Sequence, residues 1–473
     1  MRRLLPGLRK NGLRASGKTD MNLEDKNNLT VGTVWKKLLI FFLPIAAGTC
    51  IQQLYNAVDG LIVGRFVGTL ALAAVGGSAS QITNVLIGFF VSLTTGASVV
   101  IAQIFGAGRQ EDVRKATGNA LAVCLLIGVV LMAFGIWASP GMLALMKTPA
   151  DTVAGSLLYL RIYFLGVPFV LILNMESNML RAVGDSYHPF VYMVAGCLSN
   201  IVLDFVFVYY FHWGIAGVAI ATVLAQIVNM LLLTRDLIKT DKAYRLDIHT
   251  IRLNGTYLKG MLRIGIPAGL QSSMYSVSNM VIQVGVNTLG TVVVASWAMT
   301  SKTDGLYWAV SNAIGAAITT FVGQNVGAGR IDRVKTCTKQ GFILSLSITV
   351  FISTMLMVLA RPFLRILTKD TEVIETTYTL MTYFVPYYFT WTVIEVLSAV
   401  MRGSGDAVKP VVIIGLGVCL LRVVWVATVF ARHRTVLVLS LCYVISWVIT
   451  GIGLFIHYKK GEWLRMAENR IVQ

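Results

Sequence analysis

GASVVIAQIFGAGRQEDVRK, residues 96–115, returns as GAAITTFVGQNVGAGRIDRVK at residues 315–335. LRAVGDSYHP at 180–189 is matched in the same way by MRGSGDAVKP at 401–410. Arg109 and Arg330, Arg181 and Arg402, and Asp185 and Asp406 are each 221 positions apart, so one unit is used twice in a tight register. Each copy is a string of apolar segments, which points to a two-lobed membrane transporter and not to duplicated soluble domains. The duplication sets the architecture, and the places where the halves differ become the candidates for chemistry.

The composition agrees with this reading. The chain is 56% hydrophobic and 13% charged, with a mean hydropathy of +0.72, where a soluble domain carries roughly 25% charged residues. Lys and Arg number 40 against 22 Asp and Glu, a net charge of +18. The basic residues fall in short loops between apolar spans, as the positive-inside rule requires, and no basic patch with interleaved aromatics lies outside the spans. No nucleic-acid partner is expected; the bilayer is. The six cysteines are scattered without metal-ligand spacing and read as packing residues, so no metal centre is expected from them. The first thirty residues are polar and basic with no apolar core, which argues against a cleaved signal peptide, and Met21 is an alternative start.

Apolar stretches long enough for a bilayer core of about 30 Å fall at about 37–65, 70–105, 113–138, 151–180, 189–211 and 214–238. The second half supplies about 257–289, 291–325, 333–360, 372–401, 410–431 and 435–457. The expected fold is therefore all-α, with twelve transmembrane helices in two pseudo-symmetric six-helix bundles. The organisation is a cytosolic tail (1–34), a first lobe (35–238), a cytoplasmic linker (239–256), a second lobe (257–458) and a cytosolic C-terminal tail (459–473). Counting Lys and Arg places both termini in the cytoplasm of a multi-pass protein of the inner (cytoplasmic) membrane. Arg361, Arg365 and Lys369, beside Asp370 and Glu372, and Arg432 with Arg434 are exceptions that would face outside. Pro44, Pro168, Pro267 and Pro386 lie within helices, as fixed kinks or as hinges.

Ionisable residues at mid-membrane cost on the order of 2.5–3.5 kcal/mol on insertion scales, so each needs a reason to be there. Gln52, Asn56 and Asp59 fall at i, i+4 and i+7 and form a polar stripe expected to point into the first lobe. Asn200 and Asp204 are one turn apart on the fifth helix, and Thr222 on the sixth can supply a hydroxyl. Two aspartates in one pocket would hold a proton near neutral pH and release it when water or a cation enters. In the repeat register Asn200 falls on Leu421 and Asp204 on Trp425, and no acid matches Asp59, so the carboxylate chemistry is expected in the first lobe alone. Glu176 and Glu395 precede Arg181 and Arg402 and read as structural ion pairs. Lys302 and Asp304 either neutralise each other or line a central cavity. Tyr159, Tyr163, Asn174 and Asn178 put hydroxyls and amides on the fourth helix. Met and aromatic residues suit a promiscuous cavity for bulky cations.

These residues together resemble the multidrug and toxic compound extrusion (MATE) family. NAVDGLIVGRFVGTLALAAVG and AQIFGAGRQEDVRK look like its opening helices, and LRAVGD and MRGSGD look like its paired motifs ending the fourth and tenth helices. The first lobe looks most like the DinF-like branch, whose first-helix aspartate matches Asp59, whose fifth-helix pair matches Asn200 and Asp204, and whose sixth-helix threonine matches Thr222. Tyr159 and Asn174 match its fourth-helix tyrosine and asparagine more loosely. The NorM-like branch carries acids on its seventh and tenth helices. Here the seventh offers Gln271, Ser273, Tyr275 and Asn279, and Trp391 stands where the tenth-helix acid would be.

The resemblance implies a V-shaped, monomeric secondary transporter rather than an enzyme. It would export organic cations and amphiphiles by antiport with protons or sodium through alternating access. Asp59, Asn200, Asp204, Thr222, Tyr159 and Asn174 would couple the ion, with sodium held at Asp59, Asn200 and Asp204 if that is the ion. Gln52, Asn56, Tyr163, Gln271, Tyr275, Asn279, Lys302 and Asp304 would line the substrate cavity. The energy for export would come from the ion gradient, and no cofactor is expected beyond the coupling ion. A lipid-linked glycan flippase is the alternative, favoured by a strongly cationic cavity, for which Lys302 is the obvious candidate. A membrane prenyl or glycosyl transferase would need an aspartate cluster of the DDxxD kind, which the chain lacks.

Overall fold

A computed structural model describes residues 28–242 and 244–472. The expected character of residues 1–27, and the choice of Met21 as the start, lie outside the described residues.

The first half forms α1 (Val34–Val67), α2 (Thr69–Gly106), α3 (Gln110–Leu145), α4 (Ala150–Ala182), α5 (Tyr187–Tyr210) and α6 (Gly214–Lys239). The second half begins with α7 (Gly255–Asn287), followed by α8, which is broken at Asp304 into Thr291–Thr303 and Gly305–Gly327. Then come α9 (Ile331–Leu367), α10 (Thr371–Ser404), α11 (Val408–Phe430) and α12 (Val436–Lys460). A short amphipathic helix, α13 (Glu462–Val472), ends the described chain.

Eleven helices among the described residues are long and apolar enough to cross a bilayer. The seventh of the twelve expected spans is missing from that set for a compositional reason. α7 has 33 residues, but Gln271, Ser272, Ser273, Ser276, Asn279 and Gln283 dilute its hydropathy. It is instead packed along α2. A Cβ on Gly96 would lie 2.3 Å from the Met261 carbonyl oxygen, and one on Gly265 would lie 2.6 Å from that of Leu93, so glycine lets the two backbones meet.

Two large buried cores reflect the duplication. One is built mainly from α2 to α6 and the other from α8 to α12. Their boundaries are not those of the two halves of the sequence. Val34, Leu38, Phe41, Phe42 and Ile45, spaced as one stripe of α1, are buried in the second-half core. Tyr244 and Leu246 of the linker and Met261 of α7 are buried in the first-half core. The linker is held there by Asn119, whose Oδ1 accepts the Asn254 N–H at 2.7 Å. α1 and α7 therefore cross between the lobes and tie them together.

The repeated motifs meet at one end, which also carries both ends of the described chain and which we call the basic end. Gly108 and Gly329 end α2 and α8 with φ of 74° and 69°, and Gly184 and Gly405 end α4 and α10 with φ of 87° and 95°. Positive φ is the conformation glycine adopts without steric cost. Asp185 then bonds His188 Nδ1 at 2.6 Å, and Asp406 bonds His457 Nε2 at 2.7 Å. Between the lobes, α2 and α8 cross backbone to backbone. A Cβ on Gly106 would lie 1.9 Å from the Gln324 carbonyl oxygen, and one on Gly327 would lie 1.9 Å from that of Gln103. Gln103 Nε2 donates to the Gly403 carbonyl at 2.9 Å, and Gln324 Nε2 donates to that of Ala182 at 2.8 Å. These bonds are related by the repeat, each running from one lobe to the end of a helix in the other.

The N-terminal segment breaks the symmetry. Leu29 N–H donates to Gln324 Oε1 at 3.1 Å, and Arg333 grips the carbonyls of Leu29 and Gly32 at 3.1 and 2.7 Å. At the other terminus α13 folds back on the ends of α8 and α10, with Trp463 buried and Glu462 paired with Lys409. The expected ion pair of Glu176 with Arg181 is not formed: Glu176 Oε1 instead accepts Thr234 Oγ1 at 2.5 Å, because α6 lies closer than the next turns of α4.

Candidate functional site

The structure brings the first-half acids together. Asp59 on α1 and Asp204 on α5 place their carboxyl groups in hydrogen-bonding range of each other. Asp204 is completely buried, and neither of its oxygens, nor Asp59 Oδ1, has a donor among the described residues. Ionised carboxylates only accept hydrogen bonds, so a facing pair is bonded only when one of them carries a proton. Two bare anions side by side in low dielectric would repel strongly. Asn200, 1% exposed, lies one turn before Asp204, and both its amide nitrogen and its oxygen are buried without partners. Both acid-bearing helices widen into π-helical turns just beyond these residues, at Val63–Val67 and Phe205–Tyr210. Such turns re-aim side chains and are frequent at functional sites.

Hydroxyls surround the pair. Thr222 donates to the Val218 carbonyl at 3.0 Å in its own helix and lies beside the Tyr55 hydroxyl. Tyr159 and Tyr163 stack with ring centroids 5.8 Å apart. Tyr159 lies in electrostatic range of both aspartates and of Tyr55, and Tyr163 lies beside Gln226. Tyr55 and Gln226 escaped the sequence reading, although each lies four positions from a chosen residue, Asp59 and Thr222, and so one turn away on the same face.

Three expected members fall elsewhere. Gln52 and Asn56 are exposed and not turned into the lobe, Asn56 lying against Gln53 at 3.4 Å. Their spacing fitted the stripe, but Tyr55 occupies the inward face beside Asp59. Asn174 donates to the Val170 carbonyl of its own helix at 2.8 Å. It is fifteen residues beyond Tyr159 on α4, about 22 Å along the axis at 1.5 Å per residue.

The second half holds a cavity of about 490 Å³ whose lining includes Tyr275, Asn279, Asp304 and Arg422. Gln271 stands at its edge, donating to the Tyr275 hydroxyl at 3.3 Å. Asp304 caps the break in α8, and its Oδ2 accepts the Tyr388 hydroxyl at 2.8 Å and Trp308 Nε1 at 3.1 Å. The expectation that buried carboxylates serve the first lobe alone is thus corrected: aromatic donors from α8 and α10 hold Asp304 inside the second. Lys302 neither pairs with Asp304 nor lines this cavity. It is exposed, because it lies half a helical turn from Asp304. The buried cation is Arg422 on α11, which the sequence reading passed over among apolar neighbours. Among the described residues no group of three or more His, Cys, Asp or Glu is arranged to hold a metal ion.

Two helical lobes, each with a polar pocket set in an apolar bundle and tied together by α1, α7 and the crossing of α2 and α8 at the basic end, define a two-lobed membrane transporter. Comparison with known proteins names its family. The MatE family model matches residues 44–206 and 267–428, one copy in each half, and the chain belongs to the MATE family. It is 28% identical over 444 residues to the probable multidrug resistance protein YpnP of Bacillus subtilis, covering 93% of this chain and 98% of that protein. It is also 28% identical over 389 residues to the probable multidrug resistance protein YoeA of the same organism, covering 80% of this chain and 84% of that one. In three dimensions it resembles the outward-facing conformation of a multidrug resistance MATE family transporter of the MOP superfamily. The TM-score is 0.86 at 22% identity, over 93% of this chain and 98% of that one. The all-helical, V-shaped MATE architecture expected from the repeat is the architecture found.

Proposed function

We propose that this protein is a secondary exporter of organic cations and amphiphilic compounds in the cell membrane, driven by inward movement of a proton bound between Asp59 and Asp204. The observation that supports it is the pair itself: two carboxyls within bonding range, Asp204 wholly buried, and three of their four oxygens buried without a donor among the described residues. A proton supplies the missing donor and removes the repulsion, so a pocket occluded in this way favours the protonated pair. Opening it to water stabilises the anions and releases the proton. Protonation from outside draws α1 and α5 together, reshapes the first-lobe cavity and weakens the hold on substrate. The match of Asp59, Asn200, Asp204 and Thr222 supports placing the protein in the DinF-like branch, and the Lys and Arg distribution supports cytoplasmic termini.

A specific observation also favours a sodium reading. Asn200 Oδ1 is buried without a partner beside Asp204, and an amide oxygen with two carboxylates and a hydroxyl is a set of hard oxygen ligands. Efflux by purified protein in vesicles, under proton and sodium gradients imposed separately, decides between the ions. Asp59→Asn is expected to reach the membrane in normal amount and to lose gradient-driven export. Full export by that variant would overturn the coupling role of the pair.

A further inference from the structure

We propose that the second-half cavity binds an aromatic zwitterion, its ammonium group held by Asp304 and its carboxylate by Arg422. The inference rests on the reading of the protein as an exporter of amphiphilic compounds and names a substrate class for the second lobe.

The cavity presents one buried charge of each sign, and the two do not pair with each other. Asp304 takes both its side-chain hydrogen bonds on Oδ2, which leaves Oδ1 free of side-chain donors among the described residues. Arg422 is 4% exposed. Its Nε donates to Ser446 Oγ at 3.1 Å, and its plane lies 4.0 Å from the centroid of Tyr443. That geometry fixes the guanidinium and leaves its two terminal amino groups for a ligand, with no carboxylate within 4.0 Å among the described residues. Asp304, Arg422 and Tyr443 line the same cavity.

Removing a charge from water without a partner is expensive, and a fixed arginine fork is complementary to a carboxylate. A purely cationic ligand would satisfy Asp304 but bring positive charge beside Arg422. A purely anionic one would do the reverse. A zwitterion pairs both. Between the charges the walls are aromatic: Trp308 and Trp391 meet edge to face at 5.2 Å, and Tyr388 is 5.7 Å from Trp308. Such walls stack a ring and attract an ammonium group. A volume of about 490 Å³ accepts a ligand of the size of a fused bicyclic aromatic with two short polar arms. In the repeat register Asp304 falls on Thr83 and Arg422 on Ile201, so neither charge has a counterpart in the first half.

Three probes on one ring system test this: 6-(aminomethyl)-2-naphthoic acid as zwitterion, its methyl ester as cation and its N-acetyl derivative as anion. Binding is measured by tryptophan quenching and calorimetry on the purified full chain in detergent with no ion gradient. Its outcome is therefore independent of ion coupling at Asp59, and loss of coupling would not disturb it. The zwitterion is expected to bind at least tenfold more tightly than either derivative. Asp304→Asn should weaken the zwitterion and the ester by tenfold or more and spare the N-acetyl compound. Arg422→Gln should weaken the zwitterion and the N-acetyl compound and spare the ester, and Arg422→Lys, which keeps the charge, should retain part of the zwitterion's affinity. Thermal unfolding of each variant confirms that it is folded; if Arg422→Gln unfolds, the comparison is made with Arg422→Lys and the three probes on the unaltered protein. An ester that binds as tightly as the zwitterion, or equal affinities for all three, would overturn the proposal.

Discussion

Replacing Gln324 with alanine removes two buried hydrogen bonds at once, the one its Nε2 gives to Ala182 across the lobe boundary and the one its Oε1 takes from Leu29 N–H. Each neutral bond contributes about 1 kcal/mol net, and each backbone group left without a partner adds to the cost, so the closed basic end should lose about 2–4 kcal/mol. If the freed carbonyl and N–H reach water when the lobes part, the whole amount favours the open state, a shift of roughly 30- to 1,000-fold in the equilibrium. Gln103→Ala breaks the repeat-related bond to Gly403 across the same boundary and should open the same end. Spin labels at Lys115 and Lys335, both exposed near this end, one in each half, read the separation of the lobes in purified protein. Gln324→Ala should move most of the distance distribution to longer values, and Gln103→Ala should shift it in the same direction. An unchanged distribution for Gln324→Ala would refute the claim that these bonds hold the end closed.

Gly327→Ala would put a Cβ 1.9 Å from the Gln103 carbonyl oxygen, a backbone atom that cannot swing aside. The same labels should report a basic end held apart, with export lost and expression retained; a normal distance would mean the crossing is looser than the structure shows. Asp185, between α4 and α5, feels burial that favours its neutral form, but His188 outweighs it through a side-chain bond, its charge and its backbone N–H, and holds the carboxyl below the ordinary range. An acid with a depressed pKa contributes stability above its unfolded value of about 3.9, and that stability fades as pH falls through the lower folded value. Asp185→Asn should therefore cost about 2 kcal/mol near neutral pH. Thermal unfolding from pH 7 to 3 should show the gap to the unaltered protein narrowing toward the acid end. A gap that is constant across the range would remove the charge from the account.

The doubled motifs made the fold legible because each records a local necessity. Gly108, Gly184, Gly329 and Gly405 are where helices end with positive φ, and Gly106 and Gly327 are where two backbones touch. Apolar runs long enough for a bilayer located the helices, with α7 legible by position and not by hydropathy. The first-half acids stood out because a carboxylate in such a run demands a reason. Their companions Tyr55 and Gln226 did not, since tyrosine and glutamine in membrane helices have many other uses. Gln52 and Asn56 misled for the opposite reason: the face of α1 that they share with Asp59 by period is only partly covered, and at their positions it is exposed.

Periodicity, composition and the 221-residue repeat determined by themselves that the chain makes two helical bundles and that Asp59 and Asp204 are set apart from their surroundings. Three matters waited for the tertiary structure. They are the approach of those acids to bonding range, the crossing of α1 and α7 into the opposite cores, and the placement of Asp304 and Arg422 on one aromatic cavity. Each depends on distances between helices remote in sequence. Such distances are set by how whole helix surfaces pack, which no local pattern of residues encodes.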